Sequence, residues 1–197
     1  MEYDIKFVIF YLLLQMILIV CNFFFYNNYI KNLYLKNEKL SFFALFSQLG
    51  IFAIHAFLLY LPNYLYTNWP AIRVGLIPFI AGVTVCLASL IILILGFVTL
   101  KPFSLTMRTN VKDLKISGIY KYSRNPQIVG YWFLLSGFGI LWSSWYVFIG
   151  LLSYAFIAHK MVLTEEIHLE NLFADRYISY CNGTPRYFIS PLKVKRS

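Results

Sequence analysis

Charge is scarce in this sequence, and negative charge scarcest: only 8 of its 197 residues are Asp or Glu, and charged residues of both signs make up 13% of the chain. Ordinary soluble domains carry about 25%, so a soluble fold is excluded. Cysteine is rarer still. Cys21, Cys86 and Cys181 are widely spaced with no second metal-ligand pair nearby, which excludes a disulfide framework and a zinc site; they read as small apolar fillers, and no metal is expected. Internal repeats and low-complexity linkers are lacking too, so residues 1–197 are read as a single membrane domain. A cleavage site is also missing. The first apolar run begins after Lys6, follows an acidic start at Glu2 and Asp4, and ends in Phe23 to Tyr26 and Asn27 without small residues. It is therefore expected to be a retained membrane helix, not a signal peptide.

What the chain does have is apolar length, with 60% of its residues hydrophobic. A hydrocarbon core about 30 Å thick needs roughly 20 apolar residues in helix, and such runs lie at about 5–26, 42–61 and 74–98. The stretch from Ile128 to Leu163 is too long for one span. It holds Ser143 and Ser144 between Trp142 and Trp145, and tryptophan favours the membrane interface, so a tight turn there joins two helices. The expected fold is an all-α, polytopic helical bundle of about five transmembrane helices, with a hairpin of the fourth and fifth and a short polar C-terminal segment after about residue 165.

The net charge of +9 does not point to nucleic acid, because the basic residues sit between apolar runs and not on one water-soluble face. The bilayer, with its anionic lipids, is the expected partner. Cytoplasmic loops carry the excess of Lys and Arg. Fifteen of the 17 basic residues follow the first, third and fifth helices, leaving Lys6 and Arg73 on the opposite side. The C-terminus is thus expected in the cytoplasm and the N-terminus outside.

Polar residues, expensive in a bilayer, gather in two places. One is Ser117 to Gly130, reading SGIYKYSRNPQIVG; the other is Thr164 to Arg186, opening on Glu165 and Glu166. From Pro126 to Ser143 is about 17 residues, roughly 26 Å, and from Ser144 to Glu165 about 21 residues, roughly 31 Å, at about 1.5 Å per residue. The near-equal arms bring Arg124 and Asn125 to the same membrane face as the glutamate pair. Pro126 suits a first helical turn, and it pushes Asn125 toward extended or cap geometry. Gly118 and Gly130 allow close approach of backbone to a ligand or a neighbouring helix. Tyrosine hydroxyls, an amide, a guanidinium and two carboxylates together can hold a zwitterionic, nucleoside-like ligand. His159, about a turn and a half before Glu165, is a candidate for the same pocket, whereas His55 at mid-span reads as a packing histidine.

In these two segments the chain resembles the isoprenylcysteine carboxyl methyltransferases, which are related to the membrane phospholipid methyltransferases. Gly118, Tyr120, Tyr122, Arg124, Asn125, Pro126 and Gly130 fit the first half of that pattern. Glu165, Glu166, Leu169, Phe173, Tyr177, Tyr180, Pro185 and Arg186 fit the second. The resemblance covers about residues 100–190, a methyltransferase-like core, and departs from the pattern at three places: Asn125 stands for histidine, Ile128 for tyrosine and Ala174 for glycine. Asparagine looks like the bacterial branch, which implies a multi-pass protein of the bacterial inner membrane.

The resemblance implies S-adenosylmethionine as cofactor and a lipophilic small-molecule or prenylated substrate with a carboxyl or amine acceptor. The implied cofactor contacts are Lys112, Asp113, Leu114, Lys115, Gly118, Tyr120, Asn125, Pro126, Gln127, Ile128, Gly130 and Glu165; the implied catalytic groups are Glu165, Glu166, Arg124 and His159. Two other readings stay open. Membrane sterol-type reductases, which bind NADPH, share a similar R-[HN]-P segment but often carry an acid directly after the glycine, where this chain has Tyr131. A non-enzymatic transporter or assembly protein would show inward polar residues near mid-membrane; here these are few, chiefly His55 and Gln48. The orientation is open to direct test. A cytoplasm-dependent reporter fused to Ser197 should be active, and a periplasmic or lumenal readout would reverse the assignment.

Overall fold

The computed structural model describes residues 5–36, 42–66, 71–72, 74–100 and 113–187. The expected contact Lys112, and basic loop residues such as Lys101 and Arg108, lie outside the described residues. Among those described the chain is all-helical. Helix α1 (Ile5–Phe24) runs through a π-helical turn (Phe25–Ile30) into α2 (Lys31–Leu35). Then come α3 (Phe42–Tyr66), α4 (Leu76–Thr99), a 3-10 turn (Gly118–Lys121), α5 (Pro126–Trp142) and α6 (Tyr146–Gly183).

The distribution of polarity is that of a bundle in lipid. Helix α1 buries Tyr11, Gln15, Leu18 and Asn22 along one stripe, while Phe10, Leu13, Ile17 and Phe24 face outward. Polar groups in hydrocarbon need internal partners, and two buried side chains of the spans have them. Gln15 donates to the Tyr11 hydroxyl at 3.0 Å, and His55 Nε2 lies 3.0 Å from the Gly150 carbonyl. His55 is accordingly the packing histidine expected.

Among the described residues four stretches are long and apolar enough to cross a membrane: Ile5–Leu35, Phe42–Pro62, Leu76–Thr99 and Tyr146–Gly183. The expectation of five spans differs at α5, whose 17 residues reach roughly 26 Å, slightly short of a hydrocarbon core. The turn to α6 falls at Ser143, left-handed at φ 48°, and Ser144. A second difference is at the C-terminal end, where α6 does not give way to a tail near residue 165 but continues to Gly183 with a bend at Ala174.

Helix α6 is the hub, packing against α1, α2, α3 and α5. Helix α4 reaches the rest chiefly through α5, along a seam of small residues in which Gly82, Ser89 and Gly96 of α4 are buried. Apolar side chains gain little from leaving lipid for protein, so helices in membranes associate by close backbone approach across small residues. A Cβ at Gly137 of α5 would lie 2.5 Å from Cys86 Sγ and 3.1 Å from the Gly82 carbonyl. Gly137→Leu should therefore lower the thermal midpoint in detergent by an amount equivalent to about 1–3 kcal/mol of overpacking, whereas Gly50→Leu, where nothing lies within 4 Å, should change it little. Equal midpoints for the two variants would discount the seam.

Candidate functional site

The site begins where α4 ends. Gly118 has φ 58°, and a Cβ there would approach Thr99 Oγ1 to 3.0 Å; the left-handed backbone and the tight contact both suit glycine. The 3-10 turn that follows carries Tyr120 inward, where it is buried. Asn125 lies outside both the helical and the extended regions at φ −136° and ψ 59°, Pro126 takes the first helical position of α5, and the Asn125 N–H donates to Ser123 Oγ at 3.1 Å. The segment is thereby held as a cap, not a continuation of helix.

The C-terminal end of α6 folds over this turn. Beyond the bend at Ala174 (φ 41°, ψ −123°) the chain returns so that the Arg124 N–H donates to the Pro185 carbonyl at 3.0 Å and Asn125 Nδ2 to the Arg186 carbonyl at 3.2 Å. The Tyr180 hydroxyl donates to the Tyr120 carbonyl at 2.7 Å. At the centre stands Glu166. Arg186 grips it with two bonds, Nε to Oε1 at 2.8 Å and Nη2 to Oε2 at 2.6 Å, and Arg124 Nη1 lies 2.8 Å from Oε1. Arg124 Nη1 is also 3.3 Å from the Tyr177 hydroxyl and 2.7 Å from Cys181 Sγ, so Cys181 is a polar partner and not the apolar filler expected. The bonds to Glu166 hold the Arg186 guanidinium above its ordinary pKa. Burial raises the neighbouring Tyr187 hydroxyl, with Arg186 opposing.

These elements line an open cleft at this end of the bundle. Of the expected residues Asp113, Leu114, Lys115, Tyr120, Arg124, Asn125, Glu165 and Glu166 line it. The other described ones are placed elsewhere. Gly118 faces Thr99, Gln127 packs on Gly96, and Gly130 meets Ile92 and Leu93. Pro126 is buried in the first turn of α5, and the Ile128 carbonyl accepts from Tyr154. Gln127, Ile128 and Gly130 thus pack the first turns of α5 against α4 and α6. His159 is exposed on α6, with Nδ1 3.0 Å from the Tyr187 hydroxyl, outside the cleft lining.

The cleft also takes residues that motif reading did not assign: Tyr34, Val162, His168, Leu169, Tyr177 and Tyr180. Leu169, Tyr177 and Tyr180 stood in the motif without a role. His168 and Leu169 follow Glu165 by three and four residues, so helical spacing would have put them on its face. Tyr34 continues the stripe of Tyr26 and Ile30 at intervals of four, and its ring stacks on His168 with centroids 4.2 Å apart.

The fold and this cleft define a multi-pass helical membrane protein with a polar site at one end of its bundle. The phospholipid methyltransferase family matches residues 64–176, more than half of the chain, and the chain belongs to that family. It is a membrane methyltransferase. No curated protein matches the chain, and no solved structure does. The match opens in α3 and takes in both Arg124 and Glu166, but not Tyr34.

The bend that brings Tyr177 to Arg186 over the cleft uses a backbone conformation that favours glycine, at the position where the resembling family carries it. Strain of this kind costs about 1–3 kcal/mol, offset in part by the entropy that glycine adds to the unfolded chain. Ala174→Gly is expected to raise stability by about 1 kcal/mol, seen as a higher thermal midpoint; an unchanged or lower midpoint would mean the bend is unstrained.

Proposed function

We propose that the protein transfers the methyl group of S-adenosylmethionine to a lipid-like acceptor, from a cleft on the cytoplasmic side of the membrane. The observation that carries this reading is the Glu166 clamp, which joins both halves of the methyltransferase-like pattern, Arg124 from the first and Arg186 from the second, around one cleft. The core of the activity would lie within about residues 100–190, with Tyr34 and α6 completing the wall.

The lining suits such a cofactor. Tyr120, Tyr177 and Tyr180 offer aromatic faces for a purine and for a sulfonium cation. Asp113 and Glu165 can accept from an ammonium group and ribose hydroxyls, and Lys115 can pair with a carboxylate. When bound, the cofactor supplies an electrophilic methyl group, so the protein's task is to align the acceptor and exclude water. Arg124 and Arg186 are already engaged by Glu166. A carboxylate acceptor would have to compete for them, which favours an amine acceptor. Glu165, buried in the wall, is the group assigned to orient the amine and take its proton. Glu166 is assigned the positioning of Arg124 and of the C-terminal roof. Most basic residues lie in the segments at the cleft end of the chain's topology, which supports a cytoplasmic cleft.

Calorimetric titration of the purified full chain with S-adenosylmethionine, and separately with NADPH, tests the reading. Glu165→Gln, Arg124→Ala and Tyr120→Ala should each weaken S-adenosylmethionine binding, because a buried polar partner left unmatched costs about 1–3 kcal/mol, or roughly five- to over a hundredfold in affinity. Glu2→Gln and Lys36→Ala should bind as wild type. Binding of NADPH in place of S-adenosylmethionine would transfer the assignment to the reductases, and no binding of either would remove it.

A further inference from the structure

We propose that His168 touches the bound cofactor and that Tyr34, from a helix outside the family match, holds it in position to do so. Both residues line the cleft. Their rings lie 14° from parallel with centroids 4.2 Å apart, a stacked pair of the kind aromatic rings favour. Tyr34 is itself held fast: it is 2% exposed and belongs to a buried cluster with Tyr26, Ile30 and Met161. Its ring is therefore a fixed surface from α2, against which the half-buried imidazole of α6 rests.

The form of the contact suits a positioning role. A neutral imidazole carries one donor and one acceptor, both in the plane of the ring. Stacking engages the face of the ring, so Tyr34 can fix the plane of His168 while the ring nitrogens meet a ligand at its edge. A side chain ordered before the ligand arrives also loses little freedom on binding, which favours affinity. His159, the histidine singled out by its place before Glu165, has no such position. Nine residues separate it from His168, about two and a half helical turns, so the two project from opposite sides of α6, and His159 meets Tyr187 instead.

Depth along α6 says which ligand His168 meets. Val162, Glu165 and His168 follow one another along the cleft wall, with His168 roughly 4.5 Å beyond Glu165 toward the polar end of the bundle. A lipid-like acceptor keeps its chains in the bilayer and reaches the cleft from the Val162 side. A polar, water-borne cofactor enters from the other side, where His168 and Tyr34 stand. The inference rests on the methyl-transfer reading for the identity of that cofactor. The family match takes in His168 but ends short of Tyr34, so the N-terminal helices, which carry no part of the match, thereby contribute to the cofactor site through one ring.

The chain has 3 histidines, so carbon-13 histidine NMR of the full chain in detergent can follow each imidazole, assigned by replacing one histidine at a time with Gln. S-adenosylmethionine should move the His168 signal and leave that of His55 in place. In the ligand-free protein Tyr34→Leu should move the His168 signal, and Tyr34→Phe, which keeps the ring, should move it far less. By calorimetry Tyr34→Leu and His168→Phe should each weaken S-adenosylmethionine binding by about fivefold or more, the loss expected for one unmatched polar contact, while Tyr34→Phe and Lys36→Ala stay near wild type. The double variant Tyr34→Leu/His168→Phe should bind about as His168→Phe does, because a residue that acts through another adds no loss of its own. If Tyr34→Leu does not fold, the wild-type His168 signal and His168→Phe still decide the matter. An unmoved His168 signal with the cofactor bound, full affinity in His168→Phe, or additive losses in the double variant would overturn the proposal. Failure of the wild type to bind S-adenosylmethionine, with the His168 signal still responding to Tyr34→Leu, would instead remove the methyl-transfer reading, and the cofactor contact with it.

Discussion

One carboxylate gripped by two guanidiniums governs the functional end of this molecule. Glu166 leaves α6 just where the helix reaches the polar face of the bundle, and it meets Arg124 from the turn before α5 and Arg186 from beyond the end of α6. A partly buried charge needs a partner, and each arginine has the same carboxylate to pair with, so the three cannot part without leaving charge unmatched in a place poor in water. The backbone bonds of Arg124 to Pro185 and of Asn125 to Arg186 add directionality to the same junction. The cleft lies beneath this junction, and its roof is held by it.

Elsewhere cohesion has another origin. Lipid already surrounds the outer faces of α1, α3 and α4 with hydrocarbon, and burying one apolar side chain on another adds little. What holds the helices is fit and polarity: glycines along α4 and α5 let the backbones approach, and Gln15, Tyr11 and His55 find partners inside the bundle. The rigid α4–α5 pair then presents the 3-10 turn and the Asn125–Pro126 cap to the cleft at fixed height. Gly118 and Gly130 leave room for Thr99, Ile92 and Leu93 of α4, and Gln127 packs on Gly96.

The long α6 connects the two regimes. Its first half buries Tyr154, Ile157 and Ala158 among neighbouring helices, and its second half carries Glu165, Glu166 and His168 into the cleft before bending at Ala174. The π-helical turn in α1–α2 has a matching effect on the other wall. A wider turn shifts the side-chain register, and such turns recur at functional sites; here the stripe of Tyr26 and Ile30 ends with Tyr34 against His168.

The membrane class, the helical fold, the hairpin and the convergence of its two polar ends were legible in the sequence, because apolar length, charge asymmetry and helical rise are properties of local composition and spacing. Glu165, Glu166, Arg124, Asn125 and Tyr120 were legible for the same reason, since they lie in two short segments at matching distances from one turn. Tertiary structure alone decided how those residues divide their work. That Glu166 binds both arginines, that Cys181 accepts from Arg124, and that Tyr34 crosses over from the N-terminal helix to stack on His168 all depend on which helix faces are brought together. The continuation of α6 past residue 165 was likewise hidden, because it is fixed by the contacts of Tyr177, Tyr180 and Arg186 with a turn some sixty residues earlier in the chain. Spacing along a chain defines which residues share a helix face; only the packing of one helix on another defines what that face meets.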